Sequence, residues 1–173
     1  MQIKGTFEVK ITAEPPFSEA DGISLGRATL AKTFHGGFEG TSSGHMIGAR
    51  NANVPTSAGY VAIERVAGTL AGLTGTFVLQ HNGVMNRGTA SLDCTVVPDS
   101  GTGELTGLSG RLAIDIVETQ HYYTFDYELY RTRSSARFAT SCIACWFASP
   151  ASMSARSAAA IACAACVTAM YAQ

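Results

Sequence analysis

Glu64 is the first candidate for chemistry, because it interrupts a strand whose other residues are mostly apolar. It stands in "GYVAIERVAG", a segment whose two alternating faces both carry apolar side chains. If the face of Glu64 points into the protein, this side chain is a buried carboxylate with a raised pKa, suited to transferring a proton or orienting a polar ligand. If Val61 and Ile63 point inward instead, Glu64 is a solvated surface charge. Alternation alone leaves both interpretations open.

His81 is the second candidate, since it ends "GTFVLQH" and shares a strand face with Phe77 and Leu79. Side chains on neighbouring strands come within contact range, so His81 could pair with Glu64 on the preceding strand. A neutral histidine that is hydrogen-bonded at a strand end is the alternative. The four histidines are dispersed, and no two of them have the i, i+4 spacing of a helical metal motif. We therefore predict no metal site and no cofactor in this part of the chain.

An aromatic strand face supplies the predicted wall of a binding site. Tyr123, Phe125 and Tyr127 lie on one face of "HYYTFDYEL". Tyrosines give a pocket an apolar wall with a hydroxyl group that can hold a ligand, although such a face can equally be plain core. We predict Glu64, His81 and Tyr123 as catalytic residues, and Phe77, Leu79, Phe125 and Tyr127 as ligand-binding residues.

The elements that position these side chains depend on the glycine-rich stretch "PDSGTGELTGLSGRLAIDI", residues 98–116. A dinucleotide-binding fingerprint needs Gly-x-Gly-x-x-Gly between a strand and a helix. Here Gly101, Gly103, Gly107 and Gly110 have another spacing, and the following "RLAIDI" has the period of a strand. No Lys-Ser or Lys-Thr pair follows, which excludes a P-loop. These glycines therefore indicate turns between strands.

The chain before residue 131 is predicted to be all-β. "IKGTFEVKIT" alternates strictly between apolar and polar residues, as a half-buried strand does. Short connections join the segments, so neighbouring strands should be antiparallel, and they should form a closed eight-stranded barrel rather than a sandwich. The eight predicted strands are "IKGTFEVKIT", "ISLGRATLAKTF", "GGFEGTSSGHMIGAR", "GYVAIERVAG", "GTFVLQHNGVM", "TASLDCTVVP", "RLAIDIVET" and "HYYTFDYELY".

Several longer motifs carry a family resemblance. "FHGGFEGTSSG", "SAGYVAIERVAGTLAGLTGTFVLQHNGVM", "VVPDSGTGELTGLSG" and "HYYTFDYEL" together resemble a family of small bacterial proteins, domain of unknown function 3224, over about residues 3–129. That family is placed with allene oxide cyclase and, more distantly, with the dirigent proteins. The resemblance implies an eight-stranded antiparallel β-barrel of the allene oxide cyclase type. It implies no activity, because one fold serves many functions.

Residues 131–173 form an Ala-, Ser- and Cys-rich tail with no counterpart in that family. "CIAC" (142–145) and "CAAC" (163–166) match the spacing of a four-cysteine zinc site, but an alanine-rich tail without glycine provides few turns to bring thiolates together. The same pairs could equally lie on helical turns. We expect a barrel domain over 1–130 and an appended or out-of-frame extension over 131–173, disordered or partly helical. Its apolar run at 158–172 is too short for a membrane span.

Charge and cysteine distribution narrow the function classes. All 13 acidic residues precede residue 131, so the barrel domain is mildly acidic and has no basic surface for nucleic acid. No signal peptide begins the sequence, and Cys94 is the one cysteine before the tail, which favours the cytoplasm. We expect a hydrophobic small molecule to bind in the barrel, with isomerase or cyclase chemistry as one outcome. A non-catalytic carrier or sensor, or a filled structural module that forms homo-oligomers, is the alternative.

Overall fold

The computed structural model describes residues 1–130, which are all-β apart from one 3₁₀ helix at Gly103–Leu105. The predictions for residues 131–173, including the zinc spacing and the character of the tail, lie outside these residues. Within residues 1–130, no helix is long and apolar enough to cross a membrane. The strands are β1 (Gln2–Ala13), β2 (Ser18–Ala20), β3 (Ile23–Gly36), β4 (Phe38–Asn51), β5 (Ala58–Leu70), β6 (Leu73–Asn86), β7 (Thr89–Val96), β8 (Leu108–Val117) and β9 (Gln120–Leu129).

Eight of these strands close into a barrel, which confirms the predicted fold. Each pairs antiparallel with its neighbours, in the order β1, β9, β8, β7, β6, β5, β4, β3, and the ring closes because β1 also pairs with β3. The ninth strand, β2, was not predicted. Asp21 and Gly22 both have positive φ, 52° and 77°, so the chain reverses in two residues and lays β2 along the start of β3.

One end of the barrel is covered, and we call it the closed end. The β3–β4 and β5–β6 turns and the long β7–β8 connection all lie there. The connection carries the 3₁₀ helix, whose Leu105 is fully buried. Hydrogen bonds hold this connection against β6. The Thr76 amide donates to Thr102 Oγ1, and the Thr74 amide donates to Glu104 Oε2. The glycine-rich stretch is thus a cover for the core, in agreement with the turn interpretation.

Below this cover, aromatic and leucine side chains fill the lumen. Phe77 and Phe125 stack with ring centroids 5.9 Å apart, and Phe38 meets Phe77 edge to face at 5.8 Å. Such contacts add to the stability gained from burying apolar area alone. The buried cluster consists of Phe7, Phe34, Phe38, Val66, Leu70, Phe77, Leu79, Cys94, Val96, Leu105, Leu108, Leu112, Tyr123, Phe125 and Tyr127.

The opposite end, which we call the open end, is less complete. The pairing of β1 with β9 stops at Phe7, although β1 continues to Ala13 against β3 alone. Strands β7 and β8 share a single ladder pair, Thr95 with Arg111. By the two-residue alternation of a strand, Ile11, Leu92 and Ile116 point toward the lumen here. They are nevertheless 57%, 39% and 63% exposed, because no wall or cover shields them.

Candidate functional site

Glu64 lies in the middle of the lumen, between the filled half and the open half. Its face of β5 also carries Ala62 and Val66, all three are buried, and Glu64 itself has no exposed surface. This answers the question that alternation left open, because Val61 and Ile63 lie on the outer face. The face of Glu64, and not the face of Val61, points inward.

The carboxylate of Glu64 accepts three hydrogen bonds from three different strands. Lys32 Nζ on β3 donates to Oε1 at 2.7 Å, and Ser42 Oγ on β4 donates to Oε2 at 2.7 Å. His81 Nε2 on β6 lies 2.8 Å from Oε1. The predicted pairing of Glu64 with His81 is therefore confirmed. We call Lys32, Ser42, Glu64 and His81 the polar cluster.

The expectation of a raised pKa for Glu64 was wrong. Burial by itself does raise the pKa of this carboxyl group, but the hydrogen bond from His81 and the charge and hydrogen bond of Lys32 together outweigh burial and lower the pKa to about 2. Glu64 is thus ionised at neutral pH. An ionised carboxylate only accepts hydrogen bonds, so Glu64 serves here to orient its donors rather than to supply a proton.

Lys32 was missed in the sequence, although a signal for it exists. Ala28, Leu30 and Phe34 share its strand face in "ATLAKTF" and are buried, so a charged residue stands in an apolar row. Its ammonium group lies 5.1 Å from the ring centre of Phe7 and 5.9 Å from that of Phe34, as well as against Glu64. The two ring faces and the carboxylate together stabilise a buried cation.

The ionised state of Glu64 requires a proton on Nε2 of His81. Because the carboxylate can only accept, Nε2 must carry the imidazole proton and donate it. Cys94 Sγ also lies 3.5 Å from Nε2, so this nitrogen contacts both Glu64 and Cys94. The other ring nitrogen, Nδ1, makes no hydrogen bond to a residue within 1–130. In a neutral ring bonded in this way, Nδ1 would be a hydrogen-bond acceptor with its lone pair directed away from Glu64.

Tyr60 is a second side chain that was not predicted as part of the site. It lies on the face of β5 that carries Glu64, and its partner on β6 is Gly83. A Cβ at Gly83 would lie 2.2 Å from Cε1 of the tyrosine, so only glycine lets the ring lie flat against β6. Tyr60 is two residues closer to the open end than Ala62, and Ala62 pairs with His81. Its hydroxyl makes no hydrogen bond within the described part of the chain.

Tyr123 lies apart from the polar cluster. Its hydroxyl accepts a hydrogen bond from the Phe38 amide at 2.8 Å, and the carbonyls of His35 and Phe38 each lie 3.3 Å away. The hydroxyl therefore ties β9 to the β3–β4 turn at the closed end. A catalytic role for Tyr123 stays a prediction, and the visible role of this residue is structural.

The four predicted ligand-binding residues all line the lumen, but they belong to the buried cluster. Phe77, Leu79, Phe125 and Tyr127 are each at most 5% exposed. Phe125 lies with its ring centroid 5.4 Å from that of Tyr127 as well as stacking on Phe77. Of the four, Leu79 is the nearest along the strands to the polar cluster, because it is paired directly with Glu64. Their role in binding stays a prediction.

The cluster offers acid–base and hydrogen-bonding chemistry rather than a nucleophile. Burial raises the pKa of the Cys94 thiol to about 12, the nearby charge of Lys32 lowering it only in part, so Cys94 stays protonated and unreactive. Among residues 1–130, no three His, Cys, Asp or Glu side chains come together in a way that could hold a metal ion. The groups of this region that make no hydrogen bond within residues 1–130 are Nδ1 of the His81 imidazole, which Glu64 holds through Nε2, and the phenol of Tyr60.

Comparison with known proteins identifies relatives of the barrel. The family described as Protein of unknown function (DUF3224) matches residues 3–127. A crystal structure of a protein with unknown function from this family, from Shewanella oneidensis, is 48% identical, with a TM-score of 0.72. The alignment covers 75% of this chain and 97% of that one. No curated protein matches. The relation to allene oxide cyclase and dirigent proteins stays a prediction.

Proposed function

We propose that this chain, which belongs to the DUF3224 family, binds one amphipathic small molecule in the open half of its barrel. The apolar part of the ligand would lie among the lumen-facing side chains at the open end, and its polar part would lie on the polar cluster. The observation that carries the proposal is the exposure of Ile11, Leu92 and Ile116, which share the inward faces of their strands with fully buried residues.

Apolar side chains on an inward face are normally covered. Covering them removes apolar area from water and stabilises a protein by about 25 cal/mol per Å². Leu112, Ile114 and Ile116 lie on one face of β8. Of the three, only Leu112 is buried. An apolar ligand that bound against this inward face would bury the other two. Binding sites have this composition, a mostly apolar wall with a few polar groups that fix orientation.

The polar cluster gives the proposed site a floor with directional groups. Lys32 and Ser42 donate to Glu64, while Nδ1 of His81 and the hydroxyl of Tyr60 make no hydrogen bond within residues 1–130. A barrel that served only as packing would gain nothing from a buried ion pair, because well-packed apolar residues are often equally stable in such a place. Isomerisation or cyclisation of the ligand is the finer proposal, and it would rest on holding a flexible molecule in a reactive conformation away from water.

Binding of a neutral fluorescent probe tests the site. We would titrate N-phenyl-1-naphthylamine into the wild type and into Ile116→Lys, which places a charge on the inward face of the open end. The matched control is Val117→Lys, one residue further along β8, where the side chain is 58% exposed on the outer face. We expect at least ~10-fold weaker binding for Ile116→Lys and wild-type binding for Val117→Lys, because burying an unpaired charge with the probe is costly.

Two outcomes would count against the proposal. Saturable binding that both lysine variants weaken equally would place the probe on the outside of the barrel. No saturable binding to the wild type, together with no co-purifying small molecule in native mass spectrometry of the freshly purified protein, would remove the proposed function altogether.

A structural oligomeric module is the second candidate, and one observation favours it. Ile47, Val61 and Ile63 lie on the outer face of β4 and β5 and are more than half exposed, with Ile47 paired directly to Val61. Adjacent apolar residues on an outer sheet face suit a contact with a second copy of the chain. Sedimentation of the wild type beside Val61→Lys tests this candidate: a larger species that only the wild type forms would support it, and a monomer in both would exclude it.

The proposed place of action is the cytoplasm. Cys94, the cysteine within residues 1–130, is a free and buried thiol, as the reducing interior of a cell would leave it. The proposed partners are therefore a small molecule and, for the second candidate, another copy of the chain. Nucleic acid and membrane are not among them.

A further inference from the structure

The acceptor nitrogen of His81 restricts which polar group a ligand can present. Nε2 donates to the ionised Glu64, so a neutral imidazole in this position would offer only the lone pair of Nδ1 to a bound molecule. Lys32 and Ser42 also donate to Glu64 and hold its carboxylate in place beside His81. A ligand group that meets Nδ1 must therefore bring a hydrogen-bond donor.

The hydroxyl of Tyr60 can donate a hydrogen bond, so a ligand group that meets it must accept one. Burial, with smaller effects of Cys94 and Glu64, raises the pKa of this phenol, so it keeps its proton and can donate it. Tyr60 and His81 lie on the same inner face, on directly paired strands and diagonal to each other, since Ala62 pairs with His81 and Tyr60 with Gly83. Diagonal neighbours of this kind lie within reach of an aromatic side chain. The phenol of Tyr60 and the imidazole of His81 thus occupy diagonal positions on one inner face of the sheet.

We propose that His81 is neutral, with Nδ1 unprotonated, and that the ligand is a neutral hydroxyl-bearing amphiphile, such as an aliphatic or alicyclic alcohol, whose O–H donates to His81 Nδ1 and whose oxygen accepts from Tyr60. This inference rests on the proposed function. A carboxylate head has only acceptors and would face the lone pair of Nδ1. An ammonium head would be repelled by Lys32, which lies within hydrogen-bond distance of the same Oε1 that contacts His81. Either charged head would also lose its hydration in an apolar space, which a neutral hydroxyl does at much lower cost.

Three probes of similar length separate recognition of the head group from binding of the tail. We would measure displacement of N-phenyl-1-naphthylamine by 1-decanol, by methyl nonyl ether and by decanoate. The ether keeps the oxygen and the chain but lacks the donor. We expect 1-decanol to bind ~5-fold tighter than the ether, the ratio that one net hydrogen bond contributes, and decanoate to bind most weakly.

Two variants assign the preference to residues. In His81→Phe, we expect 1-decanol and the ether to bind equally, because the acceptor is gone. In Tyr60→Phe, which removes one oxygen, both ligands lose their donor, so each should bind more weakly while 1-decanol keeps its advantage over the ether. Circular dichroism and thermal unfolding would confirm that each variant is folded before binding is compared.

The wild type itself provides a measurement that needs no variant. In protein labelled with ¹⁵N-histidine, the ring nitrogens of His81 should show Nε2 protonated and Nδ1 unprotonated. Addition of 1-decanol should shift the Nδ1 resonance, and addition of the ether should leave it in place. His121, whose ring lies 5.0 Å from that of Phe7 and outside the polar cluster, is the internal reference.

The outcomes distinguish the inference from the function on which it rests. Equal binding of 1-decanol and the ether to the wild type, tightest binding of decanoate, or a preference for the alcohol that survives in His81→Phe would each overturn the inference and leave a binding site intact. A proton on Nδ1 would overturn it as well. If none of the three probes displaces the dye, the proposed function fails and the inference fails with it.

Discussion

The two halves of the barrel are built from the same strands and differ in what covers them. Toward the closed end, inward side chains such as Phe77 and Leu105 are buried beneath the 3₁₀ helix and the tight turns. Toward the open end, Ile11 and Ile116 continue the same inward faces but remain more than half exposed. Alternation of a strand therefore decides which way a side chain points, while the ends of the sheet decide whether water reaches it.

The polar cluster marks the boundary between these halves. A buried Glu64 and Lys32 contribute less to stability than their short distance suggests, because both lose their hydration. The closed half should therefore account for most of the stability of the protein, and the open half for most of its binding. The predictions below test that division.

The largest effect is expected at the boundary itself. Glu64→Leu leaves the ammonium of Lys32 buried without a counter-charge and should lower the free energy of unfolding by about 3–5 kcal/mol. The double variant Lys32→Met with Glu64→Leu removes both charges and should recover most of that loss. Urea unfolding followed by circular dichroism measures both. If the double variant were as unstable as the single one, the cluster would stabilise the barrel by more than charge neutralisation.

A pair of leucine-to-alanine variants compares the halves directly. Leu105→Ala removes a fully buried side chain from the cover of the closed end and should cost about 3 kcal/mol, since the cavity is closed on all sides. Leu92→Ala, at the open end, should cost less than about 1 kcal/mol. The same unfolding experiment serves, and equal losses at the two positions would contradict the proposed division of the barrel.

Acid should lower the free energy of unfolding by protonating Glu64. The pKa of Glu64 is about 2 in the folded protein and 4.5 in the reference state, so its contribution to stability is complete above pH 4.5 and is lost as the pH falls toward 2. Between pH 6 and pH 2.5 we expect a loss of about 2 kcal/mol from this group. Subtracting the unfolding free energy of the Lys32→Met, Glu64→Leu variant at each pH removes the effect of the other carboxylates. A difference that does not change with pH would contradict the lowered pKa.

The smallest effect separates structure from binding at the closed end. Tyr123→Phe leaves the buried amide of Phe38 without its hydrogen-bond acceptor and should cost about 1–2 kcal/mol. Binding of N-phenyl-1-naphthylamine should not change, since this hydroxyl bonds the β3–β4 turn. Weaker binding at unchanged stability would instead favour the predicted catalytic or binding role of Tyr123.

Part of the fold and part of the candidate site could be predicted from the sequence. Strand segments such as "IKGTFEVKIT", joined by short connections, predicted the antiparallel barrel, and the longer motifs predicted the family. The short β2 was missed, because two residues with positive φ, and no apolar pattern, create it. The Glu64–His81 pair could be predicted since it joins neighbouring strands.

The lowered pKa of Glu64 could not be predicted in the same way. It depends on His81 and also on Lys32 from β3, which is two strands away in the sheet. Such contacts depend on which strands adjoin around a closed ring and on their register, and neither can be read from one segment. A lysine in an apolar strand row is the local sign that a buried partner exists, and it identifies no partner by itself.

The single ladder pair between β7 and β8 has a consequence for the protein in concentrated solution. On either side of Thr95 and Arg111, the backbone amides and carbonyls of these two strands belong to no further ladder pair between them. A ring of strands avoids self-association because it leaves no such groups free, and this ring is incomplete along one seam. An extended segment of another chain can hydrogen-bond there, so warming or crowding should first produce aggregates nucleated at this seam, well before the aromatic half unfolds.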